Sequence, residues 1–268
     1  MSTAAEAAVP GAFVELAGRL ADAAGPILKR HYRSGVAIQY KADASPVSDA
    51  DRESEAAMRE ILEAEVPDHG IVGEEYGTVR AESEYVWVLD PLDGTQAYVT
   101  GKPTFGVLIA LARGGAPVLG VIDQPILEER WVGVAGQPTR FNGETVTTRS
   151  CPALDQAWLY TTSPQMFEGP DLRAFENLRG RVRRTVYGGE CYAYGLLASG
   201  FVDLVVEGDL EPYDYMALVP VVSGAGGVMS DWAGRALDLA SDGRVIAAGD
   251  GRTHAAALGI LAEGGGRG

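Results

Sequence analysis

Two segments near the N-terminus carry apolar residues at intervals of three and four, which is the spacing of an amphipathic helix. In the first segment, residues 11–33, the apolar positions are Phe13, Leu16, Leu20, Ile27 and Leu28. The second segment begins within residues 48–51, where Ser48 is a candidate N-terminal cap, and it ends near Pro67. The pattern therefore predicts two N-terminal helices.

Short β-prone runs follow these helices, and Gly and Pro residues separate them, as is typical of strands. The runs span residues 85–89, 105–111, 118–122 and 129–134. We expect the first strand to end at Asp90-Pro91, where the chain would turn out at the sheet edge. Asn142-Gly143 predicts a tight hairpin turn. The first half of the chain is therefore predicted to be α+β.

The second half alternates strand-like runs with helical ones, which predicts an α/β arrangement with helices packed on a sheet. The strand-like runs are residues 157–161, 202–206 and 245–248, and the helical ones are 192–199, 214–224 and 253–261. The change of pattern predicts two domains, residues 1–148 and 149–268.

Composition and charge exclude several classes of function. The chain of 268 residues has 22 Lys plus Arg against 37 Asp plus Glu, a formal net charge of −15. So acidic a surface repels phosphate backbones and excludes a basic nucleic-acid binder. No apolar stretch approaches the ~20 residues of a membrane helix, and the start lacks the features of a secretory signal. Cys151 and Cys191 are far apart and are expected to be reduced thiols, so we expect a cytoplasmic protein with no membrane partner.

Carboxylates concentrate beside Gly or Pro in three separated segments, GEE at 73–75, DPLDGT at 90–95 and PYD at 212–214. Mg²⁺ prefers oxygen ligands, usually one or two carboxylates per ion completed by water and substrate oxygens. The order and chemistry of the three segments together favour a metal site.

The DPLDGT segment is the strongest of these signals. A turn held by proline would aim the carboxylates of Asp90 and Asp93, with the Leu92 carbonyl between them, toward one point. The backbone N–H groups of Gly94 and Thr95 would then suit a phosphate. Each segment also has a purely structural interpretation: Asp, Pro and Gly are common in turns, a pair of glutamates is often solvated, and an aspartate often begins a helix.

Several motifs resemble the inositol monophosphatase superfamily of metal-dependent, lithium-sensitive phosphatases. The resemblance covers almost the whole chain, and its DPLDGT string is highly specific. One departure is Tyr213-Asp214-Tyr215, where many relatives have Trp-Asp. The matching residues are Lys41, PVSDAD at 46–51, IVGEE at 71–75, WVLDPLDGT at 87–95, Asp214 and GAGG at 224–227.

The resemblance implies a layered αβαβα sandwich, a homodimer and two or three Mg²⁺ ions. It assigns the metal ligands to the first domain, except for Asp214 in the second, and it assigns activation of the attacking water to Asp51 and Thr95, with Glu74 also in the catalytic set. Without the resemblance, Asp51 would more readily be interpreted as part of a helix cap. The implied metal ligands are Glu74, Asp90, Asp93, Asp214 and the carbonyl of Leu92.

Substrate choice is expected to depend on the second domain. The stretch from Gly188 to Gly227 is most similar to the histidinol-phosphatase branch, in which an acid stands at the position of Glu190. A carboxylate there would select a phosphate ester that carries an ammonium group. We therefore predict hydrolysis of L-histidinol phosphate, with Glu190, Glu207 and Gly189 at the substrate and Lys41 as a local cation in the loop 41–47. In the alternative interpretation, Glu190 caps the helix that begins at Cys191.

Two other functions stay open. The first is an inositol-1-monophosphatase or a broad sugar-phosphate phosphatase. The second, from a different class, is a non-catalytic metal-binding regulatory protein, although the acidic balance opposes RNA binding. The basic residues within 179–184 are expected to form a solvated face.

Overall fold

The computed structural model describes residues 8–34, 39–40, 46–47 and 49–264. Lys41 and Ser48, the predicted local cation and helix cap, lie outside the described residues. The helices are α1 (Gly11–His31), α2 (Asp49–Glu65), α3 (Thr95–Val99), α4 (Gly169–Arg179), α5 (Tyr192–Ala198), α6 (Pro212–Tyr215), α7 (Leu218–Gly224) and α8 (Gly251–Gly264). The strands are β1 (Gln39–Tyr40), β2 (Pro46–Val47), β3 (Gly70–Gly73), β4 (Gly77–Val79), β5 (Tyr85–Asp93), β6 (Gly106–Arg113), β7 (Ala116–Gln124), β8 (Glu129–Val134), β9 (Arg140–Phe141), β10 (Glu144–Thr145), β11 (Trp158–Thr161), β12 (Arg184–Tyr187), β13 (Leu204–Glu207), β14 (Val228–Asp231) and β15 (Val245–Ala248).

The first sheet has eight strands in the order β10-β9-β8-β7-β6-β5-β3-β4, and its pairs are antiparallel except for β3 with β5. Side chains alternate between its two faces, as the period of a strand requires. In β5, Trp87 and Leu89 pack with apolar residues of α1 and α2, whereas Val86 and Val88 face the interior of the molecule. Both faces of the sheet are therefore buried.

The second sheet has five strands in the order β12-β11-β13-β15-β14. Helices α5 and α7 lie between the two sheets, where Leu197 and Val221 share one apolar core with Val88 and Val205. Helices α4 and α8 cover the outer face of the second sheet. The predicted layered αβαβα sandwich is therefore confirmed.

Most predicted elements exist near their predicted bounds, including the hairpin at Asn142-Gly143, where both residues have positive φ angles of 47° and 88°. Two predictions were wrong. Strand β5 continues through Asp90 to Asp93 instead of ending at Asp90-Pro91. The single helix predicted over 214–224 is two helices, α6 and α7, and Asp214 belongs to the first. The four arginines within 179–184 are all exposed, as expected of a solvated face: Arg179, Arg181, Arg183 and Arg184.

The chain passes from the first sheet to the second between Thr145 and Trp158. The division into domains 1–148 and 149–268 remains a prediction. Among the helices of the described residues, none combines the length and the apolar character needed to cross a membrane.

Gly120 in β7 lets the helical layer between the sheets approach the first sheet. A Cβ atom at this position would lie 2.8 Å from the carbonyl carbon of Ala217 and 3.0 Å from its Cα atom. Because both atoms belong to the backbone beside α7, neither can move without shifting the helical layer.

We expect Gly120→Ala to lower the free energy of unfolding by about 1–3 kcal/mol, because overpacking displaces backbone. Gly18→Ala is the matched control, since a Cβ atom there meets nothing within 4 Å and alanine favours the helix α1. Thermal unfolding of both variants measures the difference. Equal melting temperatures would contradict the close packing described here.

Candidate functional site

A bulge at the end of β5 brings Asp90 and Asp93 to the same side of the sheet. Asp90 pairs with Leu108 of β6, and Asp93 pairs with Gly106, so three steps along β5 match two along β6. In a regular strand, side chains three residues apart point to opposite faces, and the extra residue of a bulge corrects this. The bulge therefore aims both aspartates at one point.

Asp214 reaches that point from the layer of helices between the sheets. It lies in α6, where its Oδ2 accepts the N–H of Glu211 at 2.7 Å and the Glu211 side chain accepts its N–H in return. This reciprocal capping box holds the Asp214 side chain in place. One carboxylate oxygen from each of Asp90, Asp93 and Asp214 lies within 4.8 Å of the other two.

Burial and mutual repulsion make ionisation of these three acids difficult. Burial raises the pKa of Asp90 well above its ordinary value, and the charges of Glu74 and Asp93 raise it further. Burial and the charge of Asp93 have the same effect on the pKa of Asp214. Burial raises the pKa of Asp93 to about 7, although hydrogen bonding with Cys191 opposes the rise. A cation among the three acids would relieve the repulsion.

The donor set fits a hard divalent cation. Carboxylate oxygens are the ligands that Mg²⁺ prefers, and three of them converge here from two elements. Glu74 is not a member of the three-residue group, but it lines the adjoining cavity, and its charge acts on Asp90 and Asp214. The site can therefore hold a metal ion at the cluster, with Glu74 on the side of the cavity.

Glu55 supports the turn that carries Glu74, and the sequence patterns did not single it out. This fully buried side chain accepts the N–H groups of Glu75 at 2.7 Å and Tyr76 at 3.2 Å. Arg59 Nε donates to it at 2.7 Å, one helical turn further along α2. The spacing of four between Asp51, Glu55 and Arg59 is the signal that could have identified it, because it places all three on one face of the helix.

Asp51 and Thr95, the residues to which the resemblance assigns activation of water, lie close to each other. Asp51 is buried in the first turn of α2, and its Oδ1 lies 3.5 Å from the Thr95 hydroxyl. The same hydroxyl lies 3.2 Å from the carbonyl oxygen of Leu92. Gly94 precedes Thr95 in the left-handed conformation, with φ of 81°, which begins the short helix α3. The catalytic and metal-binding roles of these residues remain predictions.

Two cavities adjoin the acidic cluster. The larger has a volume of about 640 Å³, and its walls include Glu74, Gly94, Thr95, Lys102, Thr162 and Glu190. The smaller, of about 140 Å³, is bordered by Asp93, Asp214, Glu207 and again Glu190. Glu190 therefore borders both cavities, and two of the three clustered aspartates, Asp93 and Asp214, line the smaller one.

Glu190 does not cap the helix that follows it. Its Oε2 accepts the Thr104 hydroxyl at 2.6 Å, and the cap position of α5 has no side-chain hydrogen bond. The residue is 8% exposed, has a positive φ of 45° and lines both cavities. The capping interpretation of Glu190 is therefore wrong.

The other predicted substrate residues occupy different environments. Glu207 is buried, with Oε1 accepting the Thr162 N–H at 3.0 Å and Oε2 accepting the Tyr194 hydroxyl at 2.8 Å. Gly189 is buried against Tyr160 and Ala193, and it is not among the residues that line the two cavities. Their roles in substrate binding remain predictions.

Among the described residues that line the larger cavity, the one cation is Lys102, which the sequence patterns did not single out. Its Nζ lies 3.9 Å from Glu190 Oε2. Lys102 and Glu190 are 88 positions apart in the numbering, and only the fold brings them together.

The cost of ionising Asp93 predicts how the metal-free protein responds to pH. In EDTA at pH 8, Asp93→Asn should unfold at a higher temperature than the native protein. The increase should be about 2–4 °C for each kcal/mol of electrostatic destabilisation that the substitution removes. The ionised carboxylate destabilises the fold above its pKa of about 7, and asparagine keeps an acceptor for the Cys191 N–H. Because an unfolded aspartate titrates near 4, the difference should shrink from pH 8 to pH 5.

Asp250→Asn is the contrasting variant. Burial alone would raise the pKa of Asp250, but hydrogen bonds from Thr253 and Cys151 lower it overall. Its ionised form therefore stabilises the fold, and this variant should unfold at a lower temperature at pH 8. A lower melting temperature for Asp93→Asn under the same conditions would contradict the electrostatic description of the cluster.

Comparisons with known proteins agree with this geometry. The model of the inositol monophosphatase family matches residues 12–265. The Arabidopsis thaliana protein named bifunctional phosphatase IMPL2, chloroplastic, is 50% identical over 255 residues, which cover 92% of this chain and 74% of the relative. The histidinol-phosphatase of Chlorobaculum parvum is 33% identical over 239 residues, which cover 87% of this chain and 91% of the relative.

A solved structure of an inositol monophosphatase from Zymomonas mobilis superposes with a TM-score of 0.87 and is 52% identical, covering 94% of this chain and 98% of its own. The family match over nearly the whole sequence, the relatives and the shared fold lead to one conclusion. The chain belongs to the inositol monophosphatase family and is a phosphatase.

Proposed function

We propose that this phosphatase hydrolyses L-histidinol phosphate to L-histidinol and phosphate with the help of Mg²⁺. The observation that carries the proposal is the position of Glu190, a buried carboxylate on the wall of both cavities beside the acidic cluster. A substrate ammonium group would give this carboxylate a charged partner, whereas a neutral polyol would not.

The relatives support the same substrate class. Proteins named histidinol-phosphatase from Chlorobaculum parvum, Mycobacterium tuberculosis and Streptomyces coelicolor are 33%, 34% and 32% identical to this chain. The Aquifex aeolicus relative named fructose-1,6-bisphosphatase/inositol-1-monophosphatase and the Zymomonas inositol monophosphatase favour a second candidate, the hydrolysis of inositol 1-phosphate. We keep the homodimer and the cytoplasmic location as further proposals.

In this proposal, Asp90, Asp93 and Asp214 hold the metal ions, with Glu74 and the Leu92 carbonyl completing the protein ligands. Bound there, Mg²⁺ would neutralise charge on the phosphate and lower the pKa of a coordinated water. The proposed ester would lie in the larger cavity with its phosphate end toward Gly94 and Thr95 and its alcohol end toward Glu190, all three of which line that cavity.

Thr95 and Asp51 handle the proton of the attacking water. Thr95 lines the larger cavity, and its hydroxyl lies 3.5 Å from the buried Asp51 carboxylate. A water that donates to Thr95 Oγ is therefore linked to Asp51, which can accept the proton that Thr95 gives up. The chain needs no covalent phosphoenzyme for this reaction.

Glu190→Gln tests the substrate assignment. The amide keeps an acceptor for Thr104 but loses the negative charge, so we expect kcat/KM for L-histidinol phosphate to fall about 10- to 100-fold, as the loss of a charged hydrogen bond predicts. Hydrolysis of inositol 1-phosphate should fall far less. Phosphate release from both esters, at saturating Mg²⁺, measures the two effects.

Glu84→Gln is the control for this variant, because Glu84 is an exposed glutamate that pairs with Arg113 on the surface. It should leave both activities unchanged. If the native protein hydrolyses inositol 1-phosphate better than L-histidinol phosphate, the assignment to L-histidinol phosphate is wrong and the second candidate stands.

Asp214→Asn tests the metal ligands independently of the substrate. Loss of one carboxylate from the cluster should raise the Mg²⁺ concentration needed for half-maximal activity by at least about tenfold with both esters. Titration of activity with Mg²⁺ measures this shift. An unchanged Mg²⁺ dependence would contradict the assignment of Asp214 as a ligand.

A further inference from the structure

Lys102 forms the only ion pair that the structure describes on the wall of the larger cavity. Its Nζ lies 3.9 Å from Glu190 Oε2 and also donates to the carbonyl oxygen of Gly188. The lysine side chain is 45% exposed, whereas that of Glu190 is 8% exposed. The pair therefore joins a buried carboxylate to an ammonium group that can reach solvent.

The carboxylate of this pair is fixed by packing and by a hydrogen bond from a side chain, whereas the ammonium group has one further hydrogen bond, to the Gly188 carbonyl. The Thr104 hydroxyl donates to Glu190 Oε2 at 2.6 Å, and a Cβ atom on Gly94 would lie 2.7 Å from Glu190 Cγ, so the acid is packed tightly against Gly94. Lysine, in contrast, carries its charge on a flexible four-carbon stem. Lys102 can therefore leave the carboxylate while Glu190 stays in place.

We infer that Lys102 is an exchangeable counter-ion that sets the substrate range of the cavity. With a polyol ester, Lys102 stays on Glu190 and neutralises it. With an amino-alcohol ester, the substrate ammonium takes the place of Lys102, whose own ammonium moves into solvent. This inference rests on the proposed function, because it assumes that Glu190 receives the alcohol part of the ester.

Electrostatics explains why the exchange matters. An unpaired buried carboxylate is costly, and its negative charge repels a phosphate dianion held nearby. Lys102 removes both penalties when the substrate brings no cation of its own. When the substrate does bring one, Lys102 competes with it for the same carboxylate. One cavity can thus accept two classes of ester, with Lys102 reducing the discrimination between them.

The competing explanation is that Lys102 only supports the turn at Gly188 through its hydrogen bond. In that case its removal would distort the cavity wall for every substrate. The two explanations differ in the ratio of kcat/KM for L-histidinol phosphate to that for inositol 1-phosphate, because only the counter-ion role changes this ratio.

The experiment compares this ratio in the native protein, Lys102→Met and Lys102→Arg at saturating Mg²⁺. We expect Lys102→Met to raise the ratio at least tenfold, mainly through a higher KM for inositol 1-phosphate, with unchanged or better use of L-histidinol phosphate. Lys102→Arg keeps the charge and should stay within about threefold of the native ratio. Lys29→Met is the matched control, since Lys29 is 43% exposed and pairs with Glu128 away from both cavities.

An equal loss on both esters, or an unchanged ratio in Lys102→Met, would overturn the inference. The double variant with Glu190→Gln should show the same ratio as Glu190→Gln alone, because Lys102 acts through that carboxylate; an independent effect would also overturn it. If Glu190→Gln changes the ratio of kcat/KM while Lys102→Met does not, the counter-ion role of Lys102 is wrong but the proposed function stands. If Glu190→Gln leaves this ratio unchanged, the proposed function is wrong.

Discussion

The approach of three carboxylates, one buried and two partly buried, to within 4.8 Å of one another is the constraint on which the site depends. Such a cluster does not form by itself, because each charge is desolvated and repelled by its neighbours. It exists because β5 lies inside the first sheet and α6 inside the helical layer, and the apolar cores on both sides fix these elements. Packing elsewhere therefore stabilises an arrangement that is unfavourable at the site.

The acidic cluster also helps to position Glu190. The backbone N–H of Cys191 donates to Asp93 at 2.7 Å, so the turn that carries Glu190 is tied directly to the acidic cluster. Thr104 and Lys102 approach Glu190 from the segment that leads into β6. The distance between the acidic cluster and Glu190 is thus set in part by this backbone hydrogen bond. A protein with a net charge of −15 needs such local cations to receive an anionic ester.

The sequence predicted much of the fold and the identity of the acidic residues, because apolar periodicity and the DPLDGT string are local signals. It could not predict the bulge in β5, since Asp90-Pro91 is equally typical of a turn, and only pairing with β6 decides between the two. The break between α6 and α7 was not predicted for a similar reason, because the apolar pattern continues across it. Lys102 was missed because its partner is distant in the chain, and Glu55 because its helical spacing is also typical of a solvated face.

Diffraction from crystals grown with Mn²⁺ in place of Mg²⁺ tests the central claim most directly, because the anomalous signal locates the ion without reference to activity. We expect a peak about 2.0–2.3 Å from carboxylate oxygens of Asp90, Asp93 and Asp214. Well-ordered side chains at these three positions with no anomalous peak among them, at a Mn²⁺ concentration that supports phosphate release, would contradict it.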